Sequence, residues 1–168
     1  MKKNFISHCA KMLAVAMIGV CLMGCGGDSA FINKSLNKAN AAINEGNYTA
    51  AYAIADEMIA KKGPKHHGVR NVGFDLNKKI LTNEIAATID SAEGSGAAMK
   101  LILIIKERAQ YNEYWASTSS GKYEKKSEER TMLELAIQLT KAKGDEACAK
   151  QLQEMLDNEY NDDILELI

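Results

Sequence analysis

The chain has 168 residues, of which 46% are hydrophobic and 26% are charged, with a single proline. Its 21 basic and 22 acidic side chains nearly balance, which argues against a generally basic nucleic-acid-binding protein, so no nucleic-acid partner is expected. Balanced charge with ample alanine, isoleucine and leucine also excludes a wholly disordered chain, because these residues can build a core.

Residues 1–24 have the features of an export signal. Lys2, Lys3 and Lys11 give a positively charged start, and residues 12–23 (MLAVAMIGVCLM) are almost wholly apolar. An apolar stretch of this length is typical of a signal peptide, whereas a membrane-spanning helix needs about 20 residues. The pattern therefore predicts a signal peptide that is removed. The alternatives to the lipid-attached form described next are an ordinary secretory signal and a single-pass membrane anchor.

The signal ends in a short motif, residues 22–25 (LMGC), in which a cysteine follows a glycine and a leucine lies three positions earlier. This motif resembles the lipobox of bacterial lipoproteins. The resemblance implies that cleavage precedes Cys25, that its thiol carries a diacylglyceryl thioether, and that the new amino terminus is acylated. Two or more acyl chains hold a protein firmly at a bilayer. Gly26 follows the cysteine, which in this family implies the outer membrane where the cell has one.

Removal of the signal leaves 144 residues with 18 basic and 22 acidic side chains. We expect residues 25–29 to form a lipidated, flexible tether and residues 30–168 to form one helical domain. Cys148 is then the remaining cysteine besides Cys25, so no intramolecular disulfide is expected. Cys148 lies on an apolar stripe, which predicts burial, and an intermolecular disulfide is the alternative.

Apolar residues at spacings of three and four predict an all-α fold. The predicted helices span residues 29–45, 49–62, 75–93, 97–116, 124–143 and 145–168. Thr49 is the expected N-cap of the second helix, and residues 61–73 are expected to form a basic loop. Short turns marked by glycine join the helices, which predicts antiparallel hairpins in a repeat-like array or an irregular bundle.

The same pattern predicts which side of each helix is buried. The inward positions of the second and fifth helices are Ala51, Tyr52, Ala55, Ile59, Met132, Leu135, Ala136 and Leu139. The fourth helix contains five consecutive apolar residues at 101–105, which predicts burial on most sides.

The turn of the first predicted hairpin carries a further motif. Residues 46–51 (GNYTAA) fit a Gly-x-Tyr-x-x-Ala pattern, Ala39 precedes it at a small-residue position, and Pro64 follows it. This arrangement resembles a tetratricopeptide repeat over about 34 residues. The resemblance implies a helical hairpin of a repeat-like array.

The predicted loop at residues 61–73 is a candidate contact for an anionic surface. Its four cations and two adjacent histidines are Lys61, Lys62, Lys65, Arg70, His66 and His67. Such a cluster attracts anionic lipid or glycan phosphate, and a solvated loop is the alternative. Adjacent histidines with no cysteine or carboxylate nearby at ligand spacing are poor metal ligands, so no metal site is predicted.

The richest aromatic cluster comprises Tyr111, Tyr114, Trp115 and Tyr123, at the end of the fourth helix and across a serine-rich linker. Aromatic rings with polar tips contribute strongly to protein interfaces, so these four are the candidate partner-binding residues. Packing of helix ends against neighbouring hairpins is the alternative.

The sequence contains no nucleophile elbow, phosphate-binding glycine loop or HExxH motif. We therefore predict neither a catalytic site nor a cofactor. The function predicted is that of a lipid-anchored bacterial cell-envelope protein, a helical binding or scaffolding module for another envelope protein. The alternatives are a small periplasmic enzyme or enzyme inhibitor, and a structural lipoprotein that contacts the cell wall.

Overall fold

The structure is a computed structural model that describes residues 26–110 and 125–160. Within these ranges the chain is all-α, as predicted, with six α-helices and no strand. The helices are α1 (Gly26–Asn44), α2 (Tyr48–Ile59), α3 (His67–Ser91), α4 (Gly94–Arg108), α5 (Lys125–Lys143) and α6 (Glu146–Glu159). The chain divides into two compact units between residues 84 and 85, inside α3.

The first unit is built on the antiparallel hairpin of α1 and α2 and on the first part of α3. Its buried residues are Ala39, Ala42, Ala51, Tyr52, Ala55, Met58, Val69, Leu76 and Ile80. The alanines at the contact allow the helix axes to approach closely. Met58 takes the core position that was predicted for Ile59, which is half-buried.

α1 begins at Gly26, so residues 26–29, which were predicted to be a flexible tether, are helical. Two features favour this early start. Asp28 lies in the first turn, where a carboxylate interacts favourably with the helix dipole. The same carboxylate lies 3.2 Å from Nδ1 of His66, which adds a tertiary contact to that turn.

The turn between α1 and α2 occupies three residues, Glu45, Gly46 and Asn47. Gly46 has a φ of 72°, a left-handed conformation that glycine adopts without steric cost. The side chain of Asn47 accepts a hydrogen bond from the N–H of Ala50 at 3.2 Å. Asn47 is therefore the N-cap of α2, and the prediction of Thr49 was wrong because the glycine reverses the chain sooner than expected.

α3 begins at His67, and not at Asp75 as predicted, so the loop predicted at residues 61–73 is largely helical. Pro64 opens a 3₁₀ turn, Pro64–His66, that leads directly into α3. Glycines in the first turns of α3 weaken its intrinsic helix propensity, but packing overrides propensity here. A Cβ at Gly73 would lie 2.9 Å from Cβ of Met58, which shows how closely α3 approaches α2.

The second unit contains the end of α3 together with α4, α5 and α6. α5 and α6 form an antiparallel hairpin, and α4 packs on both. α4 and α6 run parallel: the N–H of Gly94 donates to Asp145 at one end, and Lys106 pairs with Glu159 at 2.8 Å at the other. Buried residues of these three helices include Ala97, Ala98, Leu101, Ile105, Met132, Leu133, Ala136, Ile137, Cys148, Ala149 and Leu152.

α5 buries two of its four predicted inward residues, Met132 and Ala136. Leu133 and Ile137 are buried, whereas Leu135 and Leu139, which were predicted to face inward, are only half-buried. The buried stripe ends in Thr140, whose hydroxyl donates to the carbonyl of Ala136 at 2.8 Å. Because this hydroxyl is satisfied within its own helix, a polar residue can occupy a core position that hydropathy does not assign to it.

The bounds of α4 and α6 also differ from the predictions. α4 starts at Gly94, three residues before Ala97, because Asp145 caps its first amide. It ends at Arg108, where Ala109 turns to an extended conformation, and residues 111–116 of the predicted helix lie outside the described residues. α6 ends at Glu159, and the remainder of the predicted last helix, residues 161–168, lies outside the described residues.

Candidate functional site

The segment between α2 and α3 brings predicted surface-binding cations beside the first turns of α1. Nδ1 of His66 lies 3.2 Å from both carboxylate oxygens of Asp28. The ammonium of Lys61 lies 4.5 Å from the centroid of the Phe31 ring, a cation–π contact. We call this segment, with Lys61, Lys62, Lys65 and Arg70, the basic end of the first unit.

Local sequence explains the shape of the basic end. α2 ends before Ala60, and Gly63 then adopts a φ of 94°, which reverses the chain direction. Pro64, whose φ is fixed by its ring, starts the 3₁₀ turn. Lys61 and Lys62 follow the carboxyl end of α2, where the helix dipole favours positive charge.

The four predicted cations of the basic end differ in their environments. Lys62 and Lys65 are exposed, whereas Lys61 is half-buried against the ring of Phe31. Arg70 is held within the segment: one guanidinium nitrogen donates to Nδ1 of His67 at 2.7 Å, and another contacts the carbonyl of Lys61 at 3.5 Å. Lys62 and Lys65 are therefore available to a ligand and Lys61 is available in part, while Arg70 stabilises the turn.

The two adjacent histidines have different partners, since His66 contacts Asp28 and His67 contacts Arg70. Among the described residues, no group of three His, Cys, Asp or Glu side chains is arranged to hold a metal ion. The histidines thus serve as links, one to α1 and one within the basic end.

Positive charge at this end of the first unit is not balanced by acidic residues nearby in the sequence. The sequence has no Asp or Glu between Glu57 and Asp75, and no Lys or Arg between Lys38 and Lys61. Asp28, the acidic residue in the adjoining turn of α1, is already engaged by His66. The basic end is therefore a localised positive patch at the end of the hairpin where α1 begins.

The proposed lipidation residue belongs to the same end of the hairpin by covalent geometry. Cys25 lies outside the described residues, but it is bonded to Gly26, the first residue of α1. Adjacent Cα atoms are about 3.8 Å apart. The motif that ends in Cys25 and the basic end, which are separate in the sequence, therefore both adjoin the start of α1.

α4 carries a second candidate surface, which the sequence analysis missed. Met99 and Leu103 are 66% and 65% exposed, one helical turn apart, although this helix was predicted to be buried on most sides. Leu101 and Ile105 fill the core instead. A run of consecutive apolar residues covers more of a helix than one core can contact, and this signal predicts an exposed apolar side.

The predicted aromatic contacts Tyr111, Tyr114, Trp115 and Tyr123 lie outside the described residues. They follow α4 in the sequence: the helix ends at Arg108. The exposed apolar side chains of α4 therefore belong to the helix that leads into the aromatic segment.

Two buried groups in the second unit are structural. Burial raises the pKa of Cys148 to about 11, and the nearby Asp145 carboxylate adds to this effect, so the thiol stays protonated at neutral pH. The hydroxyl of Tyr160 donates to Glu129 at 2.6 Å. Burial, followed by this hydrogen bond, raises the pKa of Tyr160, and the pair fastens the end of α6 to α5.

Comparison of the chain with protein-family models, with curated proteins and with solved structures found no significant match. None of the described helices is long and apolar enough to span a bilayer. Functional inference consequently depends on the residues themselves.

Proposed function

We propose that this chain is a lipid-anchored bacterial cell-envelope protein that acts as a helical binding or scaffolding module. The observation that carries the proposal is the motif at residues 22–25, directly after an apolar segment of signal-peptide length. Acyl chains on Cys25 insert into the bilayer with about 0.8 kcal/mol of favourable free energy per buried CH₂ group. In a cell with two membranes, Gly26 after the cysteine favours the outer one.

The module part of the proposal is supported by the surface of α4. Met99 and Leu103 are large apolar side chains that remain exposed one turn apart. Single exposed apolar residues are common, but a pair followed in sequence by Tyr111, Tyr114 and Trp115 has the composition of an interface centre. We assign partner binding to this stretch, and the tetratricopeptide-like turn at residues 46–51 is consistent with a helical array that binds protein.

Processing and anchoring are tested by substituting the cysteine. Cys25→Ser removes the acyl acceptor, so the chain should retain its signal and lose the lipid, measured by metabolic labelling with a radioactive fatty acid. Cys21→Ser is the matched control, since it lies in the same segment but Val20 precedes it in place of a small residue. Loss of labelling in the Cys21 variant alone would contradict the assignment.

Partner binding is tested by crosslinking in intact cells. The double variant Met99→Ser/Leu103→Ser, and separately Tyr111→Ala/Tyr114→Ala/Trp115→Ala, should lose the crosslinked species while circular dichroism stays that of the wild type. Lys100→Ser is the control, because Lys100 is exposed on the same helix. Undiminished crosslinking in both multiple variants would show that this surface is not the binding site.

A further inference from the structure

We propose that the basic end lies on the headgroups of anionic phospholipids, in the leaflet that holds the lipid on Cys25, with Lys61, Lys62 and Lys65 as the contact residues. This inference rests on the proposed lipid anchor. It adds an orientation, because it specifies which end of the first unit faces the bilayer and which chemistry it meets there.

The basic end contacts α1 within its first two turns. Residues of an α-helix rise about 1.5 Å each, so Asp28 and Phe31 lie roughly 3 and 8 Å along the axis from Gly26. These are the residues that His66 and Lys61 contact. Along the helix axis, the two contacts that join the basic end to α1 therefore lie within about one Debye length, ~8 Å at physiological ionic strength, of Gly26.

The link between Cys25 and the first unit is helical from Gly26 onward. A flexible tether would let the domain drift away from the bilayer, but residues 26–29 belong to α1. The 3.2 Å contact between His66 and Asp28 and the contact of Lys61 with Phe31 fasten the basic end to that same helix. A lipid on the residue before Gly26 thus positions the basic end as well as the helix.

The charge of the basic end is complementary to that of an anionic headgroup. Lys62 and Lys65 are exposed, and the nearest acidic residue of α1, Asp28, is already paired with His66. The exposed carboxylates of Asp56 and Glu57 lie in the preceding turn of α2, before the segment in which all Lys, Arg, Asp and Glu residues are basic. A lysine near an anionic bilayer strengthens binding about fivefold, so three lysines supply a preference on the order of 100-fold for anionic over neutral headgroups.

The test uses the wild-type lipoprotein, purified with its native modification and reconstituted into vesicles. Lysines are labelled with a neutral, water-soluble acetylating reagent, and the rate at each site is followed by mass spectrometry. Vesicles of phosphatidylcholine are compared with vesicles containing about one-third phosphatidylglycerol. Lys38 and Lys100 are internal controls, because both are exposed and Lys38 lies about 18 Å along α1 from Gly26.

We expect the labelling rate of Lys61, Lys62 and Lys65 to fall at least fivefold in the anionic vesicles and to recover in 0.5 M salt. The labelling rates of Lys38 and Lys100 should be the same in both vesicle types. Equal labelling of the basic end in both vesicle types would overturn the inference. Protection by added soluble polyphosphate in neutral vesicles, without protection by anionic lipid, would also overturn it and assign the lysines to a glycan-phosphate partner.

The same spectra separate this inference from the proposed anchor, since they also report the amino-terminal peptide. A lipidated Cys25 with uniformly labelled lysines would refute the membrane orientation and leave the anchor intact. An unmodified Cys25 with lysines protected by anionic vesicles would refute the anchor and leave the basic end as a lipid-binding surface.

Discussion

The turn between α1 and α2 and the turn between α5 and α6 are built from the same backbone hydrogen bonds. In each, a glycine with positive φ follows the first helix, at 72° for Gly46 and 85° for Gly144. The next N–H, of Asn47 or Asp145, donates to the carbonyl five residues earlier, at 2.8 and 3.0 Å. This is the Schellman arrangement, and in both turns the same residue then caps the following helix.

The two turns differ in their hydrogen bonds to other helices. Asn47 is exposed, and its side chain caps its own helix. The carboxylate of Asp145 caps α6 with one oxygen and accepts the N–H of Gly94, at the start of α4, with the other at 2.8 Å. Lys143 donates to the carbonyls of Ile89 and Ala92, at the end of α3.

The second side-chain oxygen of Asp145, where Asn47 has a nitrogen, allows this residue to bond a second helix as well as its own. An amide has one acceptor oxygen and a carboxylate has two, so Asp145 can satisfy two helix starts where Asn47 satisfies one. We infer that the turn of α5 and α6 organises the junction of α3 and α4, whereas the turn of α1 and α2 stabilises its own hairpin.

The largest expected effect comes from removing the double cap. Asp145→Ala should lower the free energy of unfolding by about 2 kcal/mol, because each lost cap costs about 1 kcal/mol. Asp145→Asn should lose about half as much, since one of the two amides keeps its acceptor. Urea titration followed by circular dichroism measures both, and equal losses for the two variants would contradict the double role.

The glycines test the shared backbone of the two turns. A side chain at positive φ costs roughly 1–2 kcal/mol, and a Cβ added at Gly46 or at Gly144 would meet no other atom within 4 Å. Gly46→Ala and Gly144→Ala should therefore destabilise the chain by similar amounts, without steric clash. Thermal unfolding measures this, and a difference of more than about 1 kcal/mol would show that the turns are not equivalent.

Among the substitutions, loss of the single cap of Asn47 should lower the free energy of unfolding least. Asn47→Ala should cost about 1 kcal/mol, because the N–H of Ala50 loses its acceptor and water replaces it. Asn47→Asp is the control and should be nearly neutral, as both residues cap helices well. The measurement is the midpoint of urea unfolding, and a cost for Asn47→Ala equal to that of Asp145→Ala would remove the distinction between the turns.

The smallest effect concerns pH and applies to one turn alone. The hydrogen bond from the N–H of Gly94 lowers the pKa of Asp145, and a second from Cys148 acts in the same direction. The stabilisation that this carboxylate provides is complete above the unfolded pKa of about 3.9 and is lost as the pH falls through the lower folded value. Stability of the wild type should decline more steeply below pH 4 than that of Asp145→Asn, and parallel curves would contradict this.

Much of the fold was predictable because helical periodicity is local. Six helices and the burial of Cys148 follow from the spacing of apolar residues, and the turns between helices follow from the positions of the glycines. The start of α3 was not predictable, because the packing of Val69 and the close approach of Gly73 to α2 outweigh weak helix propensity. Propensity describes a segment alone, whereas these contacts are tertiary.

In the candidate site too, local patterns were predictable from the sequence and tertiary contacts were not. The lysines of the basic end form a cluster visible in the sequence, and so does the motif that ends in Cys25. Their association depends on the contact of His66 with Asp28, which are 38 residues apart. The exposure of Met99 and Leu103 likewise depends on which side of α4 its neighbours cover, and a continuous apolar run does not specify that side.

The most direct test of the account is the intact mass of the protein isolated from membranes of its native host. The account predicts a chain that starts at Cys25 and carries the added mass of a diacylglyceryl group, with a further acyl group on its amino terminus. A chain that retains residues 1–24, or one that starts at Cys25 without added lipid mass, would contradict it.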